Sequence, residues 1–336
     1  MGAVEGINLE AVSEWLNERI EGLALPLEFE LIAGGHSNLT YRFTDASGRA
    51  FVLRRPPLGH ILESAHDMAR EHRIISALVK SKVPVPQTYA LCEDKSINDQ
   101  QFYIMEFVEG IVPHNSTVLE QLSSDERRSF GLHVIEVLAD LHNTDIDAVG
   151  LGQLAKKEDY LARQLKRWTQ QWLATKTDEI PDMDRSLELL HEKRPEQIGA
   201  TVVHGDYRVG NMLIANGKMA ALLDWELCTL GDPLADVGYL LNTWAEPGDP
   251  ASETAPTGIG GFPTRQELSD LYEEKTGRSL AEINYYRAFS HWRLAAISQG
   301  VYKRYSVGAM GHQEFDLEKY MEGILAKAKI AIKLLS

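Results

Sequence analysis

Apolar positions along the chain change regime, from short strand-like runs broken by two helical stretches in the first third to mostly long helical spacing beyond it. Residues 9–20 carry Leu9, Val12, Leu16 and Ile20 at helical spacing, which predicts a short leading helix with its apolar stripe in the core. Residues 27–32 and 39–44 read as strands around the segment AGGHSN, and the turn 45–49 leads into a third strand at 50–55. Pro56 and Pro57 stop that strand, and 65–80 follows as a helix with Met68, Ile75 and Leu78 turned inward. Val83-Pro84-Val85-Pro86 breaks the helix, and 87–92 and 101–107 supply two further strands around the polar stretch 93–99.

From Ser116 the spacing becomes helical over 125–142, 160–175 and 184–191, with no β-rich run until Thr201. Helices are then predicted at 234–244, 264–276, 280–305 and 314–335, and the Pro-, Gly- and Thr-rich loop 245–263 is either a lid or a plain solvent loop. The pattern therefore predicts an α+β chain of two lobes. Residues 1–107 form a small antiparallel sheet lobe and 108–336 a larger, mainly helical one.

Composition narrows the partners. A length of 336 residues fits about two domains at roughly 150 residues each, or one large one. Lys plus Arg at 34 against Asp plus Glu at 49 gives −15, which argues against nucleic acid and anionic membranes and leaves a small molecule. Cys92 and Cys228 have no metal-ligand spacing and fit a reducing cytoplasm as buried thiols. No run of 18 apolar residues predicts a membrane span. Nothing in the pattern predicts an oligomeric state.

The chemistry concentrates in TVVHGDYRVGNMLIANGKMAALLDWE, residues 201–226, where Asp206, Asn211 and Asp224 sit beside short apolar runs. A carboxylate there must be hydrogen-bonded or bound to a metal. Phosphoryl transfer needs a base on the acceptor hydroxyl, metal across the phosphates and cations on the developing charge. Asp206 fits the base, Asn211 and Asp224 fit ligands of a magnesium ion, and His204 fits a residue that holds the loop. Arg208 is either a cation on the transferring group or a surface charge. Asp232 caps the helix that follows, and Asp236 in its first turn braces the loop.

In the sheet lobe, Gly35, His36 and Ser37 fit backbone contacts to nucleotide phosphates, since Gly34 and Gly35 permit close approach. Arg54 ends the third strand and Glu71 lies 17 residues on, so an ion pair between them would aim Arg54 at the α and β phosphates. Backbone groups of Glu106 and Val108, past the last strand, fit the edge of an adenine. The cofactors expected are ATP and Mg2+.

With these residues in place the chain resembles the aminoglycoside phosphotransferase and choline kinase superfamily of small-molecule kinases. It is most similar to the branch that precedes acyl-CoA dehydrogenase modules in larger proteins. HGDYRVGN, LLDWE, GDPLADVGYLL, GGHSNLTYR with FVLRRPP, and MEFVEG carry the likeness. The resemblance implies a bilobal protein-kinase-like fold, with Asp206 as base, Asn211 and Asp224 as magnesium ligands, and Arg54 with Glu71 in place of a lysine–glutamate pair. Gly205 replaces the arginine of protein kinases, Trp225 and Glu226 replace Phe and Gly, and no A-P-E element follows, which favours small molecules over protein substrates. A kinase acting on a hydroxyl is the leading reading; a nucleotide-binding pseudokinase is the alternative. For the acceptor, Tyr286, Arg293 and Arg304 on one helical face suit an anion such as a hydroxy acid or hydroxyacyl-CoA, whereas Glu246, Asp249 and Glu253 suit an amine.

Overall fold

A computed structural model describes residues 4–33, 38–58, 67–249, 255–308 and 316–336, and in it the change of period becomes a change of architecture. Helix α1 (Leu9–Asn17) leads into β1 (Glu28–Ala33), β2 (Leu39–Thr44) and β3 (Ala50–Arg55). Helix α2 (Met68–Leu78), β4 (Thr88–Cys92), the short α3 (Lys95–Asn98) and β5 (Phe102–Glu106) complete this part. The five strands make one antiparallel sheet in the order β1-β2-β3-β5-β4.

Strand alternation decides what each face does. Tyr41 and Phe43 of β2 join Phe51, Leu53, Phe102 and Ile104 under α1, whose Val12, Trp15 and Leu16 close a small outer core. The Phe43 ring is stacked between those of Phe29 and Phe51, at 5.0 and 5.1 Å. The opposite face carries Thr40, Arg42, Val52 and Arg54, and it looks into a cleft beside α2. The β2–β3 turn forms because the Asp45 carboxylate accepts hydrogen bonds from the backbone N–H of Ser47 and Arg49, both at 3.0 Å, with Gly48 at φ +90°.

The helical part follows as α4 (Ser116–Glu120), α5 (Ser124–Asn143), α6 (Tyr160–Thr175) and α7 (Pro181–Glu192). Four short strands come next: β6 (Thr201–Val203), β7 (Met212–Ala215), β8 (Lys218–Leu222) and β9 (Thr229–Gly231). Then come α8 (Leu234–Asn242), α9 (Arg265–Thr276), α10 (Ile283–Ser306) and α11 (Leu317–Leu335). Ser123 with Glu126, and Thr264 with Glu267, form capping boxes that start α5 and α9. Helix α10 is the hub, packing against α6, α7, α8 and α11, and it carries the fully buried Trp292; Trp172, Trp225 and Trp244 are fully buried as well. Among the described residues no helix is long and apolar enough to cross a membrane.

Several elements differ from the sequence pattern. The stretch 93–99 holds α3, started by the Asp94 side chain accepting from Ser96 N–H at 2.9 Å, where only a polar break is predicted. Helix α10 begins three residues later than its period suggests, because the Leu280 N–H is drawn to the Glu273 carboxylate at 2.6 Å. The described part of the 245–263 loop is packed down. Thr257 is buried and its hydroxyl donates to the Ala245 carbonyl at 2.8 Å, while Arg265 grips Glu246 at 3.1 Å and also Asp249.

Candidate active site

The segment after β6 is pinned from behind. Asp236, buried in the first turn of α8, accepts hydrogen bonds from the backbone N–H of His204 at 2.6 Å and of Gly205 at 2.8 Å. Buried amides need such partners. Gly205 has φ +84°, and a Cβ there would stand 2.8 Å from the Leu227 carbonyl, so neither conformation nor space admits a side chain. His204 Nε2 faces the Leu223 carbonyl at 2.9 Å and its Nδ1 faces the Asp206 N–H at 3.2 Å. Those partners fix a neutral ring with the proton on Nε2. His204 therefore ties the chain carrying Asp206 to the chain carrying Asp224 and has no nitrogen left for proton transfer.

Asp206 projects from this turn. Asn211, in a 3-10 turn over Val209–Asn211, donates from its amide nitrogen to the Asp206 carboxylate at 2.7 Å and to the Asp206 carbonyl at 2.9 Å. Both partners only accept, so the amide orientation is forced and its carbonyl oxygen is left to act as a ligand. Burial pushes the Asp206 carboxyl up. The charge of Arg208, whose Nε is 3.4 Å away, and hydrogen bonding from Tyr239 and Asn211 more than offset it, so the group lies below its ordinary value. Asp206 is a carboxylate at neutral pH.

Asp224 follows β8 at φ +65°, a left-handed conformation that Asp tolerates better than most residues. Its carboxylate lies 2.8 Å from Arg54 Nη2, and Arg54 Nε lies 3.0 Å from Glu71. The Glu71 contact is off the N–H axis, since that Nε has no hydrogen bond of good geometry, so it is a charge contact. Burial disfavours the Arg54 cation, but the charges of Glu71 and Asp224 reverse this and hold it charged. Glu71 is also hydrogen-bonded by the Tyr103 hydroxyl at 3.1 Å and the Asn38 amide at 3.4 Å.

Two cavities flank these residues. A cleft of about 770 Å³ runs under the sheet and is lined by Arg54, Glu106, Val108, Arg208, Asn211 and Asp224. A second cavity of about 410 Å³ opens on the other side of Gly205, lined by Arg70, Arg167, Trp168, Glu226 and Arg293. The two meet at Asn38, Glu71 and Trp225, which line both.

The structure brings together Asp206, Arg208, Asn211, Asp224, Arg54 and Glu71 in one cluster, with Glu106 and Val108 at the far end of the cleft. The Glu106 N–H is engaged by the Gln87 carbonyl at 2.7 Å, so a base could meet only the carbonyl of that residue. Gly35, His36 and Ser37 lie outside the described residues, as does Glu253. The predicted acceptor face does not form. Tyr286 is buried and donates to Asp232 at 2.8 Å, Arg304 is exposed, and only Arg293 reaches the second cavity. Glu246 and Asp249 are held by Arg265, so the carboxylates expected to meet an amine are already paired.

Other residues carry no prior signal. Arg70 adjoins Glu71, Arg167 and Trp168 lie on one turn of α6, and Glu226 ends the DWE run. Burial and the neighbouring Asp224 push the Glu226 carboxyl up to about 7, and its Oε2 is buried without a partner.

Comparison with known proteins bears on family and fold. A profile described as the phosphotransferase enzyme family matches residues 28–268. Acyl-CoA dehydrogenase family member 10 of Mus musculus is 38% identical over 293 residues, covering 84% of this chain and 27% of that protein. Acyl-CoA dehydrogenase family member 11 of Homo sapiens is 31% identical over 310 residues, covering 89% and 40%. The chain thus spans well under half the length of these curated relatives. A crystal structure from Ralstonia eutropha, provisionally classed as an aminoglycoside phosphotransferase, superposes with a TM-score of 0.82 at 34% identity over 97% of each chain. Aminoglycoside phosphotransferase APH(4)-Ia, solved with AMP-PNP and hygromycin B, shares the kinase-like fold at TM-score 0.63 and 17% identity, over 96% of this chain and 98% of that one.

Proposed function

The chain belongs to the phosphotransferase enzyme family, and on that premise we propose that it transfers the terminal phosphoryl group of ATP to a hydroxyl of a small anionic molecule. The observation that carries this reading is the pair of cavities on either side of the loop that carries Asp206, one lined by Arg208, Asn211 and Asp224 and the other by Gly205 and three arginines. The oxygen donors of Asn211 and Asp224 suit magnesium, a hard cation that takes few protein ligands. They would hold it, and it would neutralise phosphate charge when bound.

Asp206 accepts a hydrogen bond from the acceptor hydroxyl and aims its oxygen at the γ-phosphorus. As the new P–O bond forms and the bond to the β-phosphate oxygen breaks, the hydroxyl proton passes to Asp206 and then to water. A carboxylate with a lowered pKa is a weak base. It suffices because the transition state is loose and positioning does most of the work. Arg208 faces the charge of the transferring group, and Arg54 turns from Asp224 toward the α and β phosphates.

Arg70, Arg167 and Arg293 favour an acceptor with its own negative charge, such as a hydroxy acid or a hydroxyacyl-CoA. The acyl-CoA dehydrogenase names of the relatives support the same class. ATP consumption measured across hydroxyacyl-CoAs, hydroxy acids, amino alcohols and aminoglycosides tests the proposal. Turnover confined to the two anionic classes is expected, and turnover confined to amines would sink the anionic acceptor. A second reading, a nucleotide-binding pseudokinase, draws on the Arg54 cation that sits on the carboxylate meant for the metal. A rise in melting temperature with magnesium ATP, without turnover of any acceptor, would select it.

A further inference from the structure

Arg42 lines the nucleotide cleft without belonging to its phosphate or metal machinery. Alternation along β2 puts Asn38, Thr40 and Arg42 on the cleft side, and the three step outward from the reaction centre. Asn38 bonds Glu71 at 3.4 Å, the Thr40 hydroxyl is 3.5 Å from Arg54, and the Arg42 guanidinium carbon is 4.6 Å from the centre of the Phe107 ring. Phe107 directly follows β5, so Arg42 stands at the end of the cleft away from Asp224.

Its surroundings give the cation little to pair with. Arg42 enters no ion pair among the described residues, and its Nε is buried without a hydrogen-bond partner. Its ladder partner on β3 is Val52, and Val52, Met105, Val108, Leu213 and Leu222 make this end of the cleft apolar. Glu30 is its ladder partner on β1 and lines the cleft too, yet the two form no ion pair. A half-buried guanidinium that no carboxylate engages among the described residues still has one strong interaction to offer, that of its flat face with a π-system.

We propose that Arg42 stacks on the nucleobase of the bound nucleotide, while the carbonyl of Glu106 and the backbone of Val108 meet the base edge. This rests on the reading of the cleft as a nucleotide site. Every purine has a π-face, so the stack adds affinity for adenine and guanine alike and leaves discrimination between them to the backbone. The guanidinium does not contact the phosphates.

Wild type, Arg42→Ala and Arg42→Phe are titrated with adenosine, ADP and GDP, after melting curves establish that each variant is folded. Arg42→Ala weakens all three ligands by one common factor, about threefold to thirtyfold, and Arg42→Phe recovers most of the loss. A loss for ADP with adenosine unchanged would make Arg42 a phosphate contact and overturn the proposal. Unchanged ligand affinities in Arg42→Ala, or an Arg42→Phe as weak as it, overturn it equally. A wild type that binds none of the three removes the nucleotide reading itself, a different failure from a wild type that binds ADP no better than Arg42→Ala.

Discussion

Arg54 and Arg293 both stand beside the loop that carries Asp206, and they are held in opposite ways. Arg54 touches two carboxylates, Glu71 at 3.0 Å and Asp224 at 2.8 Å. Arg293 donates to the Gly205 carbonyl at 3.0 Å and lies 5.4 Å from the centre of the Tyr239 ring, and among the described residues no carboxylate pairs with it. Its neighbours follow the same rule: Arg70 donates to the Cys228 carbonyl at 2.7 Å, and Arg167 rests near the Trp168 ring at 5.1 Å. The charge of Arg54 is cancelled within the protein, whereas Arg70, Arg167 and Arg293 enter no ion pair among the described residues, although Asp67 and Glu226 line the same cavity. A chain of net charge −15 can therefore present a local positive field to one ligand. On the proposed function, nucleotide phosphates and a metal would have to rearrange an ion-pair network, whereas an anionic acceptor would meet cations already in place.

The largest effect should come from removing the group that serves both sides. Asp206→Ala is expected to lower turnover by about 10²- to 10⁴-fold and to leave ADP affinity nearly unchanged. Asp224→Ala should instead abolish the magnesium-dependent part of the melting shift with ADP. Calorimetric titration of both variants checks the division of labour, and equal loss of ADP binding in the two would collapse it.

Next in size are the uncompensated cations. Arg167→Ala removes one charge-assisted contact and should raise KM for an anionic acceptor about tenfold to a hundredfold at unchanged kcat. Arg293→Ala should lower kcat as well, because Arg293 also holds the Gly205 carbonyl. A neutral alcohol analogue should be indifferent to Arg167→Ala. If steady-state kinetics show it suffering equally, the charge of that cavity is not what binds.

The same contrast explains what the sequence could reveal. Asp206, Asn211 and Asp224 lie within 19 residues on adjoining turns, and Arg54 and Glu71 end one strand and begin one helix, so local spacing exposes them. The second cavity draws Arg70 from α2, Arg167 from α6, Glu226 from the turn after β8 and Arg293 from α10. These meet only through helix packing, which no periodicity encodes. Face arithmetic on α10 predicts Tyr286, Arg293 and Arg304 on one side, yet it could not tell that Asp232 draws the Tyr286 hydroxyl into the core and that Arg304 stays exposed, so that Arg293 alone of the three reaches the cavity. Arg42 was hidden for a different reason, since a cation in a strand reads as solvent-facing until the sheet shows which face is the cleft.

A smaller effect sharpens the ion-pair side. Arg54 reaches Glu71 and Asp224 through separate nitrogens, whereas a lysine ammonium is one point charge. Arg54→Lys should loosen the hold on Asp224 and strengthen binding of Mn2+, measured by spin resonance without nucleotide, by about threefold to tenfold. Unchanged affinity would mean that Arg54 does not compete with the metal.

The smallest effect concerns the brace that both sides share. His142 is buried between the Tyr272 hydroxyl at 2.7 Å and the Asp236 carboxylate at 3.4 Å, and burial keeps its pKa below the ordinary 6.5. As pH falls, the unfolded chain takes the proton first. Stability from the neutral ring is therefore intact above about 6.5 and is lost as pH falls toward the folded value. His142→Gln has no such titration, so its melting temperature should fall less steeply than that of wild type between about pH 7 and pH 5. Because Asp236 holds His204 and Gly205 together, with a cavity on either side, loss of the His142 contact in His142→Gln should weaken ADP and an anionic acceptor in parallel at about pH 7. A decline in one alone would mean that the two cavities do not rest on a common brace.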